Sequence, residues 1–167
     1  MWRDSGLLLR RGLVAAAVAF SYCFRWEFLR SWTAQANMLL DRWAGVYLLR
    51  ISTDAVVWHG MIFRYENACT FVDVWLGSIP LLWNTRRGFG QNLRFLSLYT
   101  PVLFAFNVFR LSISDILFAH GVPWNIAHNV LSGVAYFVVW IWVWGRLRDA
   151  VLDKHQEPRN SGKMLSA

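Results

Sequence analysis

The chain has 167 residues, of which 56% are apolar and 16% charged, with eleven tryptophans and a formal net charge of +7. Soluble domains run at about 45–50% apolar and about 25% charged, so this balance suits a bilayer better than water. It does not suit nucleic acid, because the arginines flank apolar runs, as topology signals do, instead of forming a solvated basic face interleaved with stacking aromatics.

Four apolar runs occur in chain order, at 6–24, 68–83, 93–110 and 128–145. The first, in "MWRDSGLLLRRGLVAAAVAFSYCF", has the basic start and apolar stretch of a secretory signal. It lacks a clear cleavage site at the end of its apolar stretch, so it is expected to stay as a first span, although Arg10 and Arg11 interrupt it. A loop of about 40 residues follows. In its "TAQANMLLDRWAGVYLL", Ala36, Leu39, Leu40, Trp43 and Tyr47 recur at helical spacing while Gln35, Asn37, Asp41 and Arg42 fall elsewhere. That pattern predicts a helix lying on a membrane surface. Next, "DAVVWHGMIFRYE" is rich in β-branched and aromatic residues around Gly60, which predicts a short extended piece or hairpin.

The remaining runs are about 16 to 18 residues long, slightly short of the roughly 20 needed to cross a hydrocarbon core, a gap that flanking tryptophan and arginine close by snorkelling. "LRFLSLYTPVLFAFNVFR" and "HNVLSGVAYFVVWIWVWG" are the clearest, the latter ending in a Trp140, Trp142, Trp144 belt. With the N-terminus inside, inner segments carry eleven of the seventeen basic residues, so the positive-inside rule puts both ends in the cytoplasm. The fold expected is an all-α multi-pass transmembrane bundle of about four spans, with an extracytoplasmic amphipathic helix and a short hairpin. Residues 1–150 form the membrane-embedded domain and 151–167, polar and charged, a disordered cytoplasmic tail.

The two cysteines, Cys23 and Cys69, cannot build a disulfide framework or a four-cysteine metal site, so each is read as a free thiol. In this topology Cys69 opens the second span, Arg110 closes the third and His128 opens the fourth. All three reach the exterior face. A lone membrane cysteine is usually a small apolar packing residue, and a histidine at a helix start is usually interfacial. An ionisable residue in a span is functional by default.

Chemistry gives the trio a purpose. A thiolate attacks carbonyl carbon, and its formation is favoured near a helix N-terminus or a cation. Asn67 as N-cap puts Cys69 in a first helical turn. His128 can accept the thiol proton and return it to a leaving amine, while Arg110 can hold an oxyanion. Asn107, one turn before Arg110, can orient the guanidinium or a substrate amide, and Asp73, one turn deeper than Cys69, is read as a structural ion pair with Arg110 or a protonated acid. His59, His120 and His155 carry no catalytic expectation.

The order "NACT", "NVFRLS", "HNVLSG" resembles the exosortase and archaeosortase family of membrane transpeptidases over roughly residues 55 to 145. The likeness is to the compact members, and Phe71 stands where many relatives carry a glycine two residues after the cysteine. By position it implies Cys69 as nucleophile, Arg110 as the arginine of the triad and His128 as proton carrier. It further implies a multi-pass enzyme of a prokaryotic cytoplasmic membrane. Its partners would be the lipid bilayer and the C-terminal sorting signals of secreted proteins, each a short motif, a transmembrane helix and a basic tail. No cofactor or metal is implied. One rival reading is a non-catalytic membrane subunit. Another, a haem or metal site on His120 and His128, is opposed by their eight-residue separation with Pro123 between.

Overall fold

The computed structural model describes the backbone of residues 2–156 and the side chains of 8–146. In chain order it contains α1 (Trp2–Ser21), α2 (Glu27–Trp43), β1 (Leu49–Arg50), β2 (Ala55–Trp58) and β3 (Met61–Arg64). A 3-10 turn (Asn67–Thr70), α3 (Val72–Leu82), α4 (Phe89–Ala119), a π-helical segment (Asn125–Val130) and α5 (Leu131–Gln156) complete it. The helices α1, α4 and α5 pack around α3, and Phe71, Val74, Leu81, Leu103, Val139 and Val143 form the core between them.

Two helical stretches, Phe89–Ala119 and Asn125–Arg146, are long and apolar enough to cross a membrane. The run expected as a span over 68–83 is helical only across the 11 residues of α3, about 16 Å against a hydrocarbon core of about 30 Å. The shortening has a local cause. Phe71 takes a left-handed backbone (φ 54°) that separates the 3-10 turn from α3, and Trp83 turns extended at the other end. Conversely, α4 does not stop at Arg110 but runs on to Ala119, where His120 closes it and Gly121 (φ 89°) reverses the chain. The extension holds because Leu111, Ser112 and Ser114 stay buried, beneath α2.

The helix expected in the long loop is present, beginning earlier, at Glu27, and ending at Trp43, so Tyr47 lies beyond it. Its polarity is inverted relative to a soluble helix. Thr33, Asn37 and Asp41 are fully buried, whereas Phe28, Trp32, Leu39 and Trp43 (77% exposed) face outward. The segment around Gly60 is a hairpin within a three-stranded antiparallel sheet of order β1-β2-β3, with Trp58 paired to Met61. His59 and Gly60 both have positive φ, as a two-residue type I′ turn requires. Arg30 ties α2 to the sheet, donating to the Tyr65 carbonyl and pairing with Asp54. At the far end of the chain α5 continues to Gln156, so helix covers the first residues of the segment expected as a disordered tail. Residues 157–167 lie outside the described residues.

Close helix approach depends on Gly77 in α3. A Cβ there would come within 2.9 Å of the Val18 methyl and 3.0 Å of the Trp140 ring, neither of which is the end of a flexible chain. Gly77→Ala is therefore expected to push α1 and α5 off α3 and cost about 1–3 kcal/mol, measured as a lower unfolding midpoint in detergent.

Candidate functional site

Cys69 lies in the 3-10 turn, Arg110 in the upper part of α4 and His128 in the π-helical segment that leads into α5. These elements meet at one end of the bundle, where α4 contacts the turn, the π segment and α2. A π-helical turn is a strained arrangement that tends to occur at functional sites.

Arg110 is the hub. Its side chain is buried (4% exposed) and donates through Nη2 to Asn107 Oδ1 (2.9 Å) and through Nη1 to the Ser132 hydroxyl. The guanidinium carbon stands 4.8 Å from the centroid of the Phe71 ring, a cation–π contact. Asn107, held by the guanidinium at its oxygen, donates through Nδ2 to the Cys69 carbonyl (2.7 Å). One amide thus fixes the arginine and the cysteine backbone against each other. Both the Cys69 thiol and the His128 imidazole lie within electrostatic reach of the guanidinium. Among the described residues no hydrogen bond joins Cys69 to His128. The imidazole stacks on Trp124, with centroids 4.5 Å apart and planes 9° from parallel. Two buried nitrogens here, Arg110 Nε and His128 Nδ1, have no protein partner. Unpartnered buried polar atoms are costly, so both stand available to a bound polar group.

Asn67 does not cap the helix, as its position before Cys69 had suggested. Glu66 precedes the 3-10 turn without a side-chain cap, and the Asn67 amide donates instead to the carbonyls of Phe24 (2.8 Å) and Ser21 (3.3 Å), tying the turn to the end of α1. With Phe71 interposed, Cys69 also lies ahead of α3, not within its first turn, so the macrodipole of that helix acts on it less directly. Asp73 is not an ion pair with Arg110. Its carboxylate accepts from the hydroxyls of Tyr136 (3.1 Å) and Tyr22 (3.3 Å), and the Tyr136 hydroxyl also reaches the Ala68 carbonyl (3.1 Å). Among the described residues the ion pair is Arg30 with Asp54.

Three contributors were not anticipated. Ser132 and Tyr136 follow His128 at intervals of four, a single stripe along α5 that the sequence does display. Phe71 lies on no such stripe, and its role comes from a left-handed backbone that glycine ordinarily supplies. A cleft of about 640 Å3 opens beside the turn, walled by Tyr22, Arg30, Arg64, Glu66, Asn67 and Ala68. No group of three or more His, Cys, Asp or Glu side chains suited to a metal occurs among the described residues.

What the fold defines is a mostly helical protein with two helices able to cross a membrane by length and composition. Compared with protein-family models, curated proteins and solved structures, the chain matches none.

Proposed function

We propose that the chain is a membrane-embedded cysteine peptidase or transpeptidase of exosortase type, acting on C-terminal sorting signals at the outer face of a prokaryotic cytoplasmic membrane. The observation that carries this reading is the buried Arg110 guanidinium, which has no carboxylate bonded to it and is electrostatic neighbour to both a thiol and an imidazole. A buried cation with no carboxylate hydrogen-bonded to it, Asp115 and Asp73 acting only through space, favours negative charge on whatever enters beside it.

In this mechanism the Cys69 thiol passes its proton to His128 as sulfur attacks the scissile carbonyl carbon. The tetrahedral oxyanion is held by Arg110 through its unpartnered Nε. Collapse expels the amine, which takes the proton back from His128, and leaves a thioester on Cys69. An amine of an acceptor, or water, then attacks the thioester and releases the sulfur. Asn107 keeps the nucleophile's backbone and the guanidinium in register throughout.

The arrangement in the membrane is four spans with both ends cytoplasmic and the site outside. In it α1 and the short α3 rely on flanking arginine and tryptophan to meet the interfaces. The inverted polarity of α2 supports this setting, since a helix that buries Asn37 and Asp41 and exposes Trp32 and Trp43 suits an apolar surrounding. A second reading, a non-catalytic membrane subunit, is favoured by one fact. Cys69 packs against Ala34, Val56, Tyr65 and Leu111 as an ordinary apolar side chain would.

Co-expression with a secreted protein ending in a motif, an apolar helix and a basic tail separates the two. The expected result is a hydroxylamine-sensitive adduct between substrate and Cys69 during processing. No processing of any such substrate favours the subunit, and processing with no such adduct under trapping conditions rejects thiol acyl transfer.

A further inference from the structure

Outside the residues used so far, a densely bonded group of buried acids and their partners lies between α2 and α4. Asn37 is fully buried, and its single amide nitrogen lies 3.0 Å from Asp41 Oδ2, 2.6 Å from Asp115 Oδ2 and 2.8 Å from the Tyr65 hydroxyl. Its oxygen accepts from Ser112 (2.9 Å). An amide nitrogen has two hydrogens, so it cannot serve three acceptors at once. Moreover, Asp41 Oδ1 is buried with no partner, and the cation of the neighbourhood, Arg110, is bonded to neither carboxylate. Two carboxylates on one donor in a buried site cannot both ionise without large cost.

We infer that Asp41 and Asp115 share one proton, and that the single negative charge they retain tunes the readiness of Cys69 to ionise. Tyr65 makes the physical link. Its hydroxyl joins the Asn37 network, and its ring belongs to the apolar cluster against which Cys69 packs. The charged and titratable groups facing the pair or the thiol are Tyr65 from the loop after β3, Arg110 from α4, and Glu66 and Cys69 from the 3-10 turn region. Burial, and then the charge of Asp115, push the Asp41 carboxyl up, to about 8, which agrees with a retained proton.

The inference does not rest on peptide processing, because the readout is thiol ionisation. The rate of Cys69 alkylation by iodoacetamide is measured against pH, below the value of about 8 at which Asp41 gives up its proton, on the full chain in detergent, in a Cys23→Ala background, with Asp41→Asn, Asp115→Asn and both together. If the pair shares a proton, either single substitution leaves one ionised carboxylate and the profile stays close to that of the parent. The double substitution removes the charge and moves the profile down by about one pH unit, near tenfold faster alkylation on the rising limb. Comparable shifts in each single variant that add in the double one would mean two ionised carboxylates and overturn the proposal. No shift in any variant would also overturn it. Should the double variant fail to fold, infrared spectra of the Asp73→Asn chain at pH 7 decide the matter. A protonated-carboxyl band sustains the shared proton, and its absence rejects it.

Discussion

Arg110→Lys is expected to lower the rate of the proposed sorting-signal processing about 100-fold or more in a chain that still inserts and keeps its helical content. The guanidinium makes two side-chain bonds in different directions, to Asn107 and Ser132, while its plane meets the Phe71 ring and Nε remains free. An ammonium on a flexible stem cannot keep both bonds, stack and still present a donor to substrate. Charged hydrogen bonds contribute about 1.5–3 kcal/mol each, so losing the donor to the oxyanion and loosening one orienting bond accounts for the factor. Turnover of a co-expressed substrate, alongside the thermal midpoint, checks it. A rate within threefold of the parent would make Arg110 a helix anchor and no more.

Cys69→Ala is expected to abolish processing outright. The substitution removes one half-buried sulfur from the edge of a cluster with Ala34 and Leu111, which costs about 1 kcal/mol by analogy with single-methyl deletions. The unfolding midpoint in detergent therefore shifts little while activity disappears. Cys23→Ala is the matched control, since that thiol is exposed and does no more than point at the Ala19 carbonyl (3.7 Å). Retained processing by the Cys69 variant would exclude thiol chemistry in this protein.

Much of the architecture was legible because the environment writes it into composition. Apolar runs located α4 and α5, a period near 3.6 located α2, and a glycine between two β-branched stretches located the β2–β3 turn. What the runs concealed were their ends. Hydropathy does not register the positive φ of Phe71, so α3 starts later than the apolar run suggests. The continuation of α4 was hidden for the opposite reason. Ser112, Ser114 and Asp115 look like a polar exit from the membrane until α2 is known to cover them.

The same division applies to the site. Chain order sufficed to bring Cys69, Arg110 and His128 to one end, and the three-residue interval from Asn107 to Arg110 gave their bond. The partners of Asp73 were out of reach, because Tyr22 and Tyr136 are separated from it by 51 and 63 residues and meet it only after α1 and α5 pack on α3. Asn67 misled for a comparable reason. Its amide fits a cap by type, but the last residue of α1 and the segment just after it offer it two carbonyls instead.

The bridge that Asn107 makes between the Cys69 carbonyl and the Arg110 guanidinium has a temporal implication. The two ends lie on consecutive elements, the 3-10 turn before α3 and helix α4, and α5 brings Ser132 last of all. Under the proposed function, a chain emerging from the ribosome therefore lacks the proton acceptor for its thiol until the final helix docks and carries His128 into place.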